Sequence, residues 1–549
     1  MQGSQDVSSQ IVAKKEDEDG DYFSSSDRYA TEILEEGGKE ALQGPTEEEL
    51  EAPDLQRKRR DVTCLTKNPK NFAIMVGVLS SVGAVLYGVD VSLISGVLLY
   101  VVDDLSLNAN QTSLIASGML LGAIGGGFLG IVMVEYLGRK TSILVACILY
   151  TAGALMEALA PSFGVLISGR LVLGLGVGIE YDAIPLYISE SSPKNRRGDL
   201  VALFQLMAFF GVVLGYAVDA IFANVSGSWR FMFGSSIVFS VAYFLLMLVF
   251  PESPRWLMKR GRERDAMRNW KYMRGFAPEE RSEYVNMVEV VRTELEASRQ
   301  RIIWLDFIRV AEIRYAVVYA ILMICLQQFS GINSITYYLG TLYEEIGLSK
   351  LDSVCICLIN GGCLFISTLP AVFLMDKVGR RSLVLLLAPF TVIGLAIAGA
   401  SSYIKHKIGH VVAYTIGMVI YDLFWGSALG AVPIAVNSEV YPQYLRTNGM
   451  SIAVIVTFVG SFTTTYPFAR MVHSMTKLGT LLGFYGGVTF LGWVLCIFFM
   501  PETKDRTLEQ IRQVFLKGPF GIAKENKRVL KMQLNSAKNK LKSLFTKSS

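Results

Sequence analysis

Twelve separate stretches of the chain are apolar enough and long enough to cross a bilayer, and this leaves few folds open. They run over approximately 72–102, 112–134, 141–160, 163–189, 200–222, 232–250, 315–344, 353–375, 382–402, 411–436, 449–471 and 480–500. A spanning helix needs about 20 mostly apolar residues, because hydrocarbon offers no partner to a free backbone group. Only 18% of the 549 residues are charged, against about 25% in soluble domains. The pattern predicts an all-α membrane protein of twelve transmembrane helices. Several segments are longer than one crossing requires, which predicts tilt or extension beyond the bilayer.

Charge is segregated along the chain, so the net charge of +4 says little. Residues 1–56 carry sixteen Asp or Glu against four Lys or Arg, a composition that cannot bury a core and predicts a disordered acidic tail over 1–70. No charged n-region, apolar h-region and cleavage site open the chain, so no cleaved signal peptide is expected. Lys and Arg cluster in alternate loops: RKRR 57–60, GRK 138–140, PKNRRG 193–198, the segment 255–314, GRR 379–381, Arg446 and the C-terminal tail. KHK 405–407 runs against the trend. The positive-inside rule puts both termini in the cytosol, as an even number of spans requires. The sequons at Asn110 and Asn224 then fall in outer loops. The hydrophilic segment 257–313 predicts amphipathic helices at the cytosolic surface. The tail 509–549 is basic, and 524–547 mixes apolar residues into it. It reads either as a helix on anionic inner-leaflet lipid or as a solvated tail. The seven cysteines have no paired spacing and read as small buried hydrophobes.

The chain contains a weak copy of itself. EYLGRK at 135–140 recurs as DKVGRR at 376–381, offset 241. SESSPKNRRG recurs as SEVYPQYLRTNG, placing Glu190 and Arg197 on Glu439 and Arg446, offset 249. PESPRW at 251–256 recurs as PETKDR at 501–506, offset 250. Three motifs in one order at nearly one offset predict two homologous six-helix bundles, 71–256 and 314–508. Each motif couples acid and base near a membrane boundary: Glu135 with Arg139, Glu190 with Arg197, Glu252 with Arg255, Asp376 with Arg380, and Glu439 with Arg446. Such pairs can form an ion-pair network that breaks when two halves rock apart. A positive-inside bias accounts for the bases but not for the matched acids.

Asp90 lies near the middle of the first apolar stretch, where a carboxylate costs about 2.5–3.5 kcal/mol on insertion scales. Arg170 poses the same problem in the fourth. Pairing neutralises both, and a proton arriving at Asp90 would free Arg170 and shift a conformational equilibrium. A permanent structural pair is the alternative. Glu180 and Asp182 add two more acids to the fourth span, either as a second proton or cation site or as partners of loop arginines.

GRLVLGLGVG 169–178, PESPRWL 251–257, QQFSGINSITYY 327–338, DKVGRR 376–381, NSEVYP 437–442 and PETKDRTLE 501–509 together resemble the sugar porter branch of the major facilitator superfamily, over roughly residues 72–515. The resemblance implies the major facilitator fold, alternating access, and a monosaccharide or polyol as substrate. In proton-coupled members an Asp and an Arg stand where Asp90 and Arg170 stand here, which implies proton symport. A sugar buried in a dry site needs side chains that both donate and accept, and an aromatic face for its C–H bonds. Gln205, Gln327, Gln328, Asn333 and Tyr337 supply that set, with a helix bend near Gly331. Against the family pattern, Glu135 replaces the usual Asp. Ile131 stands where a Gly is usual, with Gly130 one place off. Leu364, Ile434 and Thr457 occupy places usually held by Asn, Trp and Gln. Asn360 lies one turn from Leu364. Tyr421 and Trp425 lie further along the tenth span and are set aside. Two other functions stay open: a facilitative uniporter, and a nutrient sensor on the same fold. No phosphate loop or metal cluster is present, and His406, His410 and His473 lie near no nucleophile. No enzyme activity, cofactor or nucleic-acid partner is expected, and twelve spans can serve a monomer at the plasma membrane.

Overall fold

A computed structural model describes residues 69–193, 196–275, 277–300, 305–442, 444–504 and 508–547, so the acidic tail lies outside the described residues. Twelve helices meet the length and hydropathy of a span. They are α1 Phe72–Asp104, α2 Ala109–Tyr136, α3 Arg139–Ala158, α4 Phe163–Ser191, α5 Ala202–Phe222, α6 Ser228–Val249, α7 Ala311–Glu345, α8 Lys350–Pro370, α9 Arg380–Tyr403, α10 Lys407–Asn437, α11 Arg446–Thr465 and α12 Phe468–Phe499. No strand occurs among the described residues. The last boundary differs from the expected one. A turn at Tyr466–Pro467 ends α11, and α12 starts at Phe468. Hydropathy missed this because Arg470, His473 and Lys477 dilute the first turns of α12, while Pro467 offers no N–H and suits a helix start.

The packing repeats with the sequence. α1 lies on α5, α2 and α3 on α4, and α3 on α6; likewise α7 lies on α11, α8 and α9 on α10, and α9 on α12. The halves meet where α5 packs on α8, α2 on α11, and α1 on the second part of α7. Spans α1 and α10 are two-thirds buried, α12 little more than a quarter, which sorts core helices from lipid-facing ones. Apolar side chains such as Val238, Leu386 and Leu491 face outward, as a bilayer allows.

Glycine lets α2 and α4 cross closely. A Cβ on Gly122 would sit 2.3 Å from the carbonyl of Leu171, and one on Gly126 would sit 2.3 Å from that of Leu175. Gly174 and Gly178 oppose them on α4. Helices without a hydrophobic drive between them associate through such close backbone contact. The run GLGVG is therefore a packing surface.

Between the halves lie helices Pro254–Lys259, Glu263–Arg274, Pro278–Gln300 and Asp306–Arg309. Arg274 is buried against Glu280 and Glu283 at 3.2 and 2.7 Å, and Arg255 and Lys259 both reach Glu294. After α12 come helices Leu508–Leu516 and Gly518–Lys547. Asn526 donates to the carbonyls of Phe498 and Met500, which ties the last helix to the end of α12.

Candidate functional site

Asp90 and Arg170 meet in the core of the first half. The Arg170 guanidinium donates to Asp90 Oδ1 at 2.7 Å through Nη1, and to the Ile115 carbonyl at 3.3 Å through Nε. Both side chains are sealed from solvent. A third charge joins them: Glu157, on α3, places Oε1 3.8 Å from the same Nη1. The Phe233 ring covers the guanidinium at 5.6 Å. The sequence reading passed over Glu157, although an acid inside an apolar span is the signal that singled out Asp90.

Beside Asp90 on α1, Tyr87 and Val91 face a cavity of about 40 Å³ between the halves. Its wall carries Gln205, Gln327, Gln328 and Asn333 from the expected set. The backbone break that gathers them is Gly331, at φ 94°, where α7 changes direction. A side chain there would also strike the Tyr485 ring. Gln327 donates to the carbonyl of Gly430 at 3.0 Å, and Gln328 donates to Gln327 Oε1 at 3.2 Å. Asn333 donates to Gln328 Oε1 at 3.0 Å and to Ser461 Oγ at 2.7 Å. Gln205 Oε1 has no hydrogen-bond partner. An arriving hydroxyl could exchange with these amide bonds at little net cost, since each is worth about 0.5–1.5 kcal/mol.

Tyr337 does not line the cavity. It is fully buried on the next face of α7, with its hydroxyl unpartnered. One residue earlier, Thr336 takes the wall position. The aromatic lining is Tyr87, Tyr181, Phe209 and Trp425. Trp425, set aside on its distance from Ile434, does line the cavity, and Ile434 does not. Trp425 Nε1 donates to Ser330 Oγ at 2.6 Å, and the Tyr421 hydroxyl donates to the Ser330 carbonyl at 3.1 Å. The chain between Trp425 and Ile434 passes through a π-helical turn, Gly426–Gly430, so counting residues along an even helix places neither correctly. Leu364 and Thr457 do line the wall. Asn360 does not; it donates to Asp422 Oδ2 at 3.0 Å.

The repeated charged motifs fold into two matched clamps. In the first, Arg139 donates to Glu190 Oε1 at 2.9 Å, and Glu252 Oε1 accepts the backbone N–H of Arg139 at 3.0 Å. In the second, Arg380 donates to Glu439 Oε1 at 2.9 Å, and Glu502 Oε1 accepts the N–H of Arg380 at 2.9 Å. The Ser253 hydroxyl binds Glu190, as the Thr503 hydroxyl binds Glu439. Burial holds the Glu252 carboxyl above its ordinary range, and the N–H donors of Ser253 and Lys140 pull it partly back.

Some expected members stand elsewhere. Arg255 pairs with Glu294 of the connecting helices. Glu135 is exposed, and its backbone carbonyl accepts from Trp256 and Arg260. Arg446 makes no ion pair with the described residues. The side chains of Arg197 and Asp376 lie outside the described residues. Glu180 sits 3.8 Å from Cys147 Sγ, and Asp182 lies against Gly130, so the described contacts of neither include a loop arginine.

At the opposite end of the bundle, polar contacts close the halves on each other. Gly340 N donates to Ser95 Oγ at 2.8 Å, and the Tyr216 hydroxyl donates to the Thr336 carbonyl at 3.1 Å. Lys350 pairs with Asp103 at 2.7 Å, and Arg470 reaches Asn110.

A small cavity walled by amides and aromatics between two repeated helix bundles, beside a buried ion pair, is the arrangement of a membrane transporter. Residues 70–515 match the model of the sugar (and other) transporter family, and the chain belongs to that family. The myo-inositol transporter FST1 of Gibberella moniliformis is 42% identical over 514 residues, covering 90% of this chain and 88% of its own. The galactose-proton symporter of Escherichia coli is 28% identical, covering 85% and 98%. The structure of the proton:xylose symporter XylE bound to 6-bromo-6-deoxy-D-glucose aligns with a TM-score of 0.70 at 24% identity, covering 81% of this chain and 99% of that one. The protein is thus an integral multi-pass membrane transporter of the major facilitator fold, and not an enzyme.

Proposed function

We propose that the chain couples the entry of one proton to the entry of a monosaccharide or polyol, with an inositol or related polyol first among the substrates to test. The observation that carries this reading is the sealed Asp90–Arg170 pair one helical turn from the cavity-lining Tyr87. A myo-inositol transporter among the relatives supports the polyol, and a galactose-proton symporter supports the proton.

The residues divide the work. Gln205, Gln327, Gln328 and Asn333 exchange hydrogen bonds with substrate hydroxyls, and Trp425 offers a face to its C–H bonds. Tyr337 stands behind the wall and makes no hydrogen bond to it. Protonation of Asp90 weakens its hold on Arg170, which changes the packing of α1 against α4 and favours rocking of the halves. The Arg139–Glu190–Glu252 and Arg380–Glu439–Glu502 clamps keep the loops of each half rigid at one end during that motion. Arg446, Glu135 and Arg255 belong to the same charged end, and Arg255 ties the connecting helices to it through Glu294.

The unit is a monomer in the plasma membrane with both termini in the cytosol. Residues 71–256 and 314–508 are its two moving bundles, joined by the cytosolic linker 257–313 and flanked by the tails 1–70 and 509–549. The basic helix Gly518–Lys547 lies on anionic inner-leaflet lipid. The test is uptake in transporter-deficient cells of labelled inositol, polyols, hexoses and pentoses, at acidic and at neutral pH. Uptake of one class, faster at acidic pH, is expected. Uptake indifferent to pH would leave a uniporter, and no uptake from protein at the cell surface would leave a sensor.

A further inference from the structure

The core of the first half holds more negative charge than its one cation can balance. Asp90 and Glu157 both approach Nη1 of Arg170, at 2.7 and 3.8 Å, and all three groups are fully buried. Both oxygens of Glu157 lack a hydrogen-bond partner, as do Oδ2 of Asp90 and Nη2 of Arg170. Two carboxylates and one guanidinium leave a net negative charge in a dry site, which is expensive unless one carboxyl holds a proton.

Among the described residues, the surroundings offer no other counter-charge. α4 presents Arg170 and, further along, the acid Glu180. α1 presents Asp90, and α2 only the Ile115 carbonyl. α6 presents the Phe233 ring and, at its start, Arg230, whose guanidinium binds the Ala160 carbonyl and lies 3.8 Å from Asp104. Tyr150 on α3, which donates to the Leu86 carbonyl at 3.0 Å, and Tyr337 on α7 complete the set.

We infer that Glu157 is the second proton-holding residue of the coupling site, sharing one proton with Asp90 across Arg170. The O–H bond breaks at Glu157 and forms at Asp90, or the reverse. Arg170 follows whichever carboxyl is ionised; uptake of a proton at one carboxyl and release from the other bracket each transfer, so one proton crosses per cycle and the triad is neutral between those steps. Glu157 gives Arg170 a partner at the moment when Asp90 is protonated. A lone Asp–Arg pair would leave the guanidinium bare at that step.

This inference rests on the proton-coupled reading, and its test separates the two. Full-length protein is reconstituted in proteoliposomes as the unmodified chain, Glu157→Gln and Glu157→Asp. The labelled probe is myo-inositol, or the panel member that the unmodified chain takes up. Accumulation under a proton gradient is compared with gradient-free counterflow exchange, each across a pH series. The unmodified chain can accumulate substrate up to about fiftyfold per 100 mV of driving potential. Glu157→Gln is expected to accumulate little above equilibrium while counterflow falls far less. Glu157→Asp is expected to recover part of the accumulation with a shifted pH profile. Accumulation by Glu157→Gln equal to that of the unmodified chain, with the same pH profile, would overturn the inference. So would equal loss of accumulation and counterflow in both variants, which would make Glu157 structural. Failure of the unmodified chain itself to accumulate would remove the proton-coupled reading and this inference with it.

Discussion

The two halves are built to one plan at their charged ends and to different plans in their cores. At the ends the clamps correspond residue for residue: Arg139, Glu190, Glu252 and Ser253 against Arg380, Glu439, Glu502 and Thr503. Even the strained glycines match, Gly138 at φ 97° and Gly379 at φ 98°, each with the following carboxylate where its Cβ would lie. In the cores the first half keeps a sealed ion triad, Asp90, Arg170 and Glu157, whereas the second keeps the amides Gln327, Gln328 and Asn333 around Ser461. Duplication accounts for the matched clamps. On the proposed reading, the divergent cores let the first half hold a proton and give the second most of the amides that meet substrate hydroxyl groups.

The largest expected effect tests the first core. Arg170→Leu leaves the ionised member of the Asp90–Glu157 pair buried without a cation, which should cost about 3–5 kcal/mol and deplete the protein from the membrane, read by its abundance and melting temperature. A stable Arg170→Leu would mean that both acids are protonated at rest. Gly138→Ala and Gly379→Ala come next. Each forces a left-handed backbone onto a residue with a Cβ, at roughly 1–2 kcal/mol, and sets that Cβ 2.5 Å from a carboxylate oxygen. Melting temperatures should fall by similar amounts in the two variants; sensitivity in one half alone would break the equivalence of the clamps. Arg139→Lys should lose about 1.5–3 kcal/mol, the worth of hydrogen bonds to a charged group. Arg380→Lys should lose less, because its pair with Glu439 is 15% and 22% exposed while the Arg139 pair is sealed. Smallest is Trp425→Phe, which keeps a ring on the cavity wall but removes the bond to Ser330. Its KM for substrate should rise by about 2–12-fold, the equivalent of one hydrogen bond, without change in the pH profile.

The architecture was legible because hydrocarbon imposes a simple rule on sequence. Twelve apolar runs, charges in alternate loops and three motifs at one offset left little choice of fold. The site was legible where a residue type violates its solvent, as Asp90 and Arg170 do, or where polar residues crowd one span, as Gln327, Gln328 and Asn333 do. It was obscured where helices are uneven. The π-helical turn after Trp425 moved the aromatic wall away from the counted position at Ile434, and the break at Gly331 turned Tyr337 behind the wall while Thr336 faced it. Glu157 was missed because it stands near the end of its span, where an acid passes for a boundary residue. Only its distance from Arg170 shows that it belongs to the core. Arg255 escaped for another reason: its partner Glu294 comes from a connecting helix, not from the repeat.

The central claim is that the core of the first half holds the proton while the α7 amides of the second half hold most of the substrate's hydroxyl groups. The most direct measurement is substrate-induced proton movement in proteoliposomes, read beside substrate binding, for the unmodified chain, Asp90→Asn and Gln327→Ala. The account predicts a split. Asp90→Asn abolishes proton movement and changes binding by no more than a few-fold. Gln327→Ala weakens binding by about 2–12-fold and keeps the ratio of protons to substrate. Loss of both functions together in either variant, or proton movement that survives Asp90→Asn, would contradict it.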